Sequence, residues 1–174
     1  MEFKDLEEQR HQMNIARESI DYILSVINKN RLKKVLEIGC FNGYSALMFS
    51  TIAQEVKSIE IDKKAIQIAK NNFERYEVKN IQILEGDAKE VLSKLNEQFD
   101  VILIDAMKKE YKEYLILCLK LINKYGFIFA DNTISHKEQM KDFFDYLESS
   151  NVQWKELNIG KKGNSISGLV EIKC

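Results

Sequence analysis

From residue 33 onward the chain alternates between two periodicities. Short apolar runs cover residues 35–38, 56–61, 81–84, 101–104 and 127–130. They are nearly continuous in Val, Ile, Leu and Phe, as in strands buried on both faces of a parallel sheet. Between them, residues 44–53, 63–76, 88–95 and 111–123 place apolar side chains at helical spacing. Gly126, shortly after Asn123, suits a helix exit into a strand. Residues 136–149 repeat the helical pattern, with Met140, Phe143, Phe144 and Leu147 on one face. Ahead of the alternation, residues 3–29 read as a helical region with Leu6, Met13, Ile20, Leu24 and Ile27 in phase. Two late runs, residues 152–157 and 166–172, flank the loop Gly160-Lys161-Lys162-Gly163-Asn164. With no helix between them, they are predicted to pair as an antiparallel hairpin. The whole predicts an α/β sandwich around a mainly parallel sheet, with ligands bound at the strand C-termini.

Composition narrows this picture without redirecting it. The 174 residues suit one domain, 45% hydrophobic and 30% charged, as expected of a soluble globular protein. The net charge of −1 gives no global attraction to nucleic acid or a membrane. Cys40, Cys118 and Cys174 are odd in number and far apart, which indicates neither a zinc knuckle nor a disulfide framework. A reducing cytoplasm is the expected setting. No apolar run approaches the roughly 20 residues of a spanning helix, and the start of the chain lacks the apolar core of a leader. Proline is absent, so Gly, Asn and capping side chains must set the helix ends.

The candidate chemistry sits where the apolar runs stop. Ile104-Asp105-Ala106-Met107-Lys108 follows one run and Ala130-Asp131-Asn132 follows another. If those strands are neighbours, Asp105, Asp131 and Asn132 offer three oxygen ligands with Lys108 within reach. Such a group suits a hard divalent cation and a proton transfer. Upstream, Glu37-Ile38-Gly39 through Gly43-Tyr44-Ser45 reads as strand, glycine turn and helix start. Its Gly-x-x-x-Gly spacing is not that of a dinucleotide pyrophosphate loop. Glu37 suits an ammonium or sulfonium cation, Glu60 both hydroxyls of a ribose, and Asp87 an adenine amino group.

This series of Glu-x-Gly-x-x-x-Gly, Glu60 and Gly86-Asp87-Ala88 resembles the class I S-adenosylmethionine-dependent methyltransferases. The stretch from Phe99 to Lys108, with Tyr111, Tyr114 and Ala130-Asp131-Asn132, resembles the catechol and caffeoyl-CoA O-methyltransferase family within that class. The resemblance implies a Rossmann-like methyltransferase sandwich with a seven-stranded sheet. It implies that Glu37, Gly39, Gly43, Tyr44, Ser45, Glu60, Asp87, Ala88 and Asp105 bind S-adenosylmethionine. It further implies that Asp105, Asp131 and Asn132 hold Mg²⁺ or a similar cation, and that Lys108 is the catalytic base. The expected reaction moves a methyl group to a phenolic, catechol-like or hydroxylated-base oxygen.

Other readings stand beside these. Asp131-Asn132 alone is equally an Asx turn, Tyr111 and Tyr114 are equally helix packing, and His136 is equally an exposed helix start. A metal-independent enzyme acting on nitrogen or RNA, or a non-catalytic cofactor-binding module, is the alternative function. The N-terminal helical region is abbreviated relative to the family, and the segment after Asn132 is short. Both leave the acceptor and the family's homodimer open. Lys108, Lys109, Lys112, Lys137, Lys141, Lys161 and Lys162 all follow strand C-termini. They are expected to form a basic rim suited to an anionic acceptor, a CoA thioester or a tRNA nucleotide.

Overall fold

The alternating runs become strands β1 (Lys34–Ile38), β2 (Glu55–Glu60), β3 (Ile81–Glu85), β4 (Phe99–Ile104) and β5 (Ile122–Asp131), all parallel. The structure, a computed structural model, describes residues 11–163 and 165–174. Strands β6 (Gln153–Leu157) and β9 (Leu169–Lys173) pair antiparallel, and β9 also runs antiparallel to β5. The seven-stranded sheet has the order β3-β2-β1-β4-β5-β9-β6. This is the predicted α/β sandwich with its antiparallel C-terminal pair. The intervening loop adds a small ribbon of β7 (Lys161–Lys162) and β8 (Ser165–Ile166). Asn164 lies outside the described residues.

Strand residues point alternately to two sides, and each side meets its own helices. Val35, Val101, Leu103, Phe127 and Phe129 pack with α1 (Arg17–Asn30), α2 (Tyr44–Ser50) and α3 (Lys63–Arg75). Leu36, Ile38, Ile102, Ile104 and Ile128 pack with α4 (Ala88–Lys94), α5 (Tyr111–Leu121) and α6 (Lys141–Ser149). Burial on both faces explains why the runs carry almost no polar interruption. Met140, Phe143, Phe144 and Leu147 are all buried, as the helical pattern requires.

The N-terminal expectation needs correction. Residues 1–10, Leu6 among them, lie outside the described residues, and residues 11–16 form a turn and extended chain rather than helix. Helix begins at Arg17, where Ile20, Ile23 and Ile27 form the buried stripe; Met13 is 63% exposed. Helix α5 also stops earlier than expected, at Leu121, and β5 starts at once. The β4–β5 register jumps from Phe99↔Ile122 to Val101↔Phe127, so residues 123–126 bulge out around Tyr125 and Gly126. Among the described residues no helix is long and apolar enough to cross a membrane.

Candidate active site

The sheet order reverses direction between β1 and β4, and the loops after these two strands touch. Gly39, at φ 100°, ends β1 with its Cα against the Asp105 carbonyl oxygen, which any Cβ would overlap. Asp105 N donates to Ile38 O at 2.9 Å, and Gly39 N donates to Ile59 O at 3.0 Å. Gly43, at φ 80°, precedes α2; a Cβ there would meet the Phe73 ring at 2.5 Å. The two glycines therefore allow the turn to lie flat on the tip of β4 and against α3.

A cavity of about 930 Å³ opens beside this contact. Of the predicted site residues, Gly39, Ser45, Glu60, Asp105, Lys108 and Asn132 line it. Glu60 is held by three backbone amides: Phe41 N on Oε2 at 2.8 Å, and Ile61 N and Asp62 N on Oε1 at 2.8 and 2.9 Å. A carboxylate offers about four lone-pair sites, so Glu60 is oriented and keeps about one site for a ribose hydroxyl. Asp87 caps α4, its Oδ1 accepting from Lys89 N and Glu90 N at 2.9 and 3.2 Å. The cap uses one Asp87 oxygen of two, and neither Asp87 nor Ala88 is among the cavity-lining residues.

Glu37 lies behind the wall rather than in it. It is fully buried and accepts hydrogen bonds from Ser45 Oγ and, at 2.5 Å, from Ser58 Oγ. Burial pushes its pKa up to about 8, against the lowering pull of the two serines, with Asp105 and Glu60 adding repulsion. Tyr44 is likewise fully buried as packing for α2, and Gly43 acts through the backbone. The same burial, followed by the Glu37 charge, raises the Cys40 thiol well above its ordinary value, so that thiol stays protonated.

The paired strands bring the two acidic tips together, with Ile104 beside Ala130. Lys108 Nζ donates to Asp105 Oδ1 at 2.8 Å and to Tyr111 Oη at 2.7 Å. Tyr111 is fully buried and its hydroxyl donates to the Asp131 carbonyl oxygen at 3.2 Å. Burial, with the charges of Asp105 and Asp131, holds the Tyr111 pKa well above 10. Asn132, at φ 64°, turns the chain and donates from Nδ2 to Ser167 Oγ at 2.6 Å. Ser167 Oγ also donates to Asp131 Oδ1 at 3.5 Å.

These groups fit a hard divalent cation in kind. Two carboxylates and an amide supply oxygen donors; Asp105 and Asn132 line the cavity, while Asp131 is fully buried beside them and does not. The Ser167 bond uses the amide nitrogen of Asn132 and leaves its carbonyl oxygen as the ligating end. The Lys108 bond uses one Asp105 oxygen of two. Among the described residues no cluster of three His, Cys, Asp or Glu side chains is arranged to hold a metal; here the third donor is an amide.

Of the other lining groups, the sequence pointed to His136 alone. Residues 12–15 form one wall, tied to the glycine turn by Asn14 Nδ2 donating to Asn42 Oδ1 at 2.6 Å. Ser135 and His136 also line the cavity, with Ser135 Oγ 2.9 Å from His136 Nδ1. Of the lysines expected to form a basic rim, Lys108 alone among the described residues lines the cavity, which it shares with Glu60, Asp62, Asp105 and Lys64. Lys137 pairs with Glu156 at 3.1 Å and Lys141 with Asp145 at 2.5 Å. The side chain of Lys162 lies outside the described residues.

The model of the O-methyltransferase family matches residues 3–162. The O-methyltransferase ankF of Aspergillus thermomutatus is 39% identical over 112 residues, covering 60% of this chain and 47% of its own length. The chain spans about half the length of the curated relatives it matches. A candidate caffeoyl-CoA O-methyltransferase of Staphylococcus aureus has a solved structure that is 26% identical, with a TM-score of 0.86, covering 100% of this chain and 93% of the other. The methyltransferase PaMTH1 of Podospora anserina, solved with S-adenosylhomocysteine bound, shares the fold at 22% identity and a TM-score of 0.83, covering 95% and 82%.

Proposed function

The chain belongs to the O-methyltransferase family, and we propose that it transfers the methyl group of S-adenosylmethionine to a hydroxyl oxygen with the help of a divalent cation. One observation carries the reading: the glycine turn and the tips bearing Asp105, Lys108 and Asn132 share one cavity. A methyl donor on the turn and an acceptor near Lys108 would lie side by side, and proximity is the main requirement of an in-line displacement. The acceptor is a phenolic, catechol-like or hydroxylated-base hydroxyl. The near balance of charge along the cavity favours a small neutral acceptor over a polyanion.

The residues divide the work. Glu60 would accept from the ribose, and Gly39 would let the backbone approach the cofactor. Lys108 Nζ would take the acceptor proton as the oxygen forms its bond to the methyl carbon. The S–C electron pair then returns to sulfur, leaving a neutral thioether. Asp105, Asp131 and Asn132 would hold the cation, which supplies Lewis-acid stabilisation of the oxyanion. A phenolic hydroxyl, with a pKa of about 10, needs such help near neutrality.

The engagement of Asp105 by Lys108 favours a second reading, transfer by Lys108 without a metal. Labelled S-adenosylmethionine with catechol or hydroxyuridine-containing tRNA, each with Mg²⁺ and with chelator, separates them. Transfer that chelation abolishes supports the metal-dependent enzyme, and transfer that survives it refutes the metal's role. Tight cofactor binding without transfer to either acceptor would favour a binding module.

A further inference from the structure

The geometry points to Tyr111 as a positioning residue that aims Lys108 at the acceptor, an inference that rests on Lys108 being the base. Ring packing alone accounts for half of Tyr111: its ring meets Phe143 edge-on at 5.9 Å and Tyr114 at 6.4 Å. A phenylalanine would serve that packing as well. The hydroxyl does something else.

The direction of each hydrogen bond is forced. The Asp131 carbonyl has no proton to give, so the Tyr111 O–H must donate to it across 3.2 Å. Its oxygen is then an acceptor toward Lys108 Nζ at 2.7 Å. The second anchor, Asp105 Oδ1 at 2.8 Å, is also an acceptor. Besides its bond to Cε, Nζ has three tetrahedral positions. With two of them turned to these anchors, one remains. Lys108 lines the cavity whereas Tyr111 is fully buried, so the remaining position is the one left for the acceptor. After proton transfer the same position carries the new N–H, which is lost to water before the next turnover.

The Asp131 bond also ties the base to the tip of β5. One buried tyrosine thus couples the lysine, on the segment after β4, to the neighbouring strand. Without its hydroxyl, the flexible four-carbon stem of Lys108 keeps a single anchor.

Two measurements on the full chain test this. The first needs no acceptor: lysine side-chain ¹⁵Nζ spectra, with the Lys108 signal identified by its loss in Lys108→Met. The wild-type signal is expected to exchange slowly with water, and at least tenfold faster in Tyr111→Phe. No slow signal in the wild type, or no change in the variant, overturns the inference; the wild-type result decides even if Tyr111→Phe does not fold. The second is a double-mutant cycle on turnover with catechol as probe. Tyr111→Phe is expected to lower kcat tenfold or more while KM for catechol and Kd for S-adenosylhomocysteine stay within twofold. The same substitution in a Lys108→Met background is expected to change nothing further. Equal losses in both backgrounds would mark Tyr111 as merely structural. Full activity in Lys108→Met would instead remove Lys108 as the base, and the exchange measurement would still show whether Tyr111 holds it.

Discussion

Replacing Glu37 by Gln should make the protein more resistant to alkali. Glu37 is fully buried between Ser45 and Ser58, and its pKa is raised from 4.5 to about 8 by burial. The folded state therefore binds a proton that the unfolded state has released over most of the range between those values. Stability falls wherever the folded state holds more protons, so this carboxyl costs stability as pH rises from about 4.5, and the loss is complete above about 8. Gln cannot ionise and can still hydrogen-bond both serines. Between pH 6 and pH 9 the wild-type carboxyl passes through roughly 2 units of its window, at roughly 1.4 kcal/mol per unit. The stability difference between Glu37→Gln and wild type should shift by roughly 2 to 3 kcal/mol in favour of Gln over that interval. Urea denaturation of both proteins at pH 6, 7, 8 and 9 measures it. Asp100, Glu55 and Glu110, whose pKa values are lowered, act in the opposite sense at acid pH and cancel in the difference. Two stability curves that stay parallel across the interval would show that Glu37 is ionised in the fold, and the argument from burial would be wrong.

Three further outcomes follow from the same geometry. Gly39→Ala must accommodate φ 100° and a Cβ on the Asp105 carbonyl; it should lose roughly 2 kcal/mol or more in denaturation and bind S-adenosylhomocysteine poorly by calorimetry, while wild-type values in both would refute the close contact. Lys108→Met should lower kcat by roughly a hundredfold or more, the usual scale of a lost general base, with the Kd of S-adenosylhomocysteine unchanged; a parallel loss of binding would mean the lysine serves the cofactor instead. Asn14→Ala breaks the 2.6 Å bond to Asn42 at a cost of roughly 1 kcal/mol and should loosen residues 11–16, read as faster amide exchange there with the sheet unaffected.

Periodicity carried the architecture because every central strand is covered on both faces. Val101 and Leu103 meet one helical layer while Ile102 and Ile104 meet the other, so the strand shows as an unbroken apolar run. The tips were legible because Asp105 and Asp131 each stand where an apolar run stops. Periodicity overextended residues 3–29, however. Met13 matches the helical phase of Ile20 and Ile27 but lies on a non-helical wall of the cavity. Spacing alone does not separate a helix face from chance recurrence over so few turns.

An acid at a strand end announces a site without saying which of its oxygens is already engaged. Asp62 and Asp87 both cap the helix that follows, yet only Asp62 lines the cavity. Glu60 faces the cavity with three amides holding it, and Glu37 stands behind it, fully buried, with its pKa raised. What decides among them is contact between segments far apart in the chain, which local pattern does not encode: Asn14 with Asn42, Asn132 with Ser167, Tyr111 with Asp131. Tyr111 shows the consequence most sharply. Its spacing on α5 is that of a packing residue, and its ring is one, but its hydroxyl meets both Lys108, three residues back, and the Asp131 carbonyl on the neighbouring strand. The first contact is local, and the second exists only because β5 comes to rest beside β4.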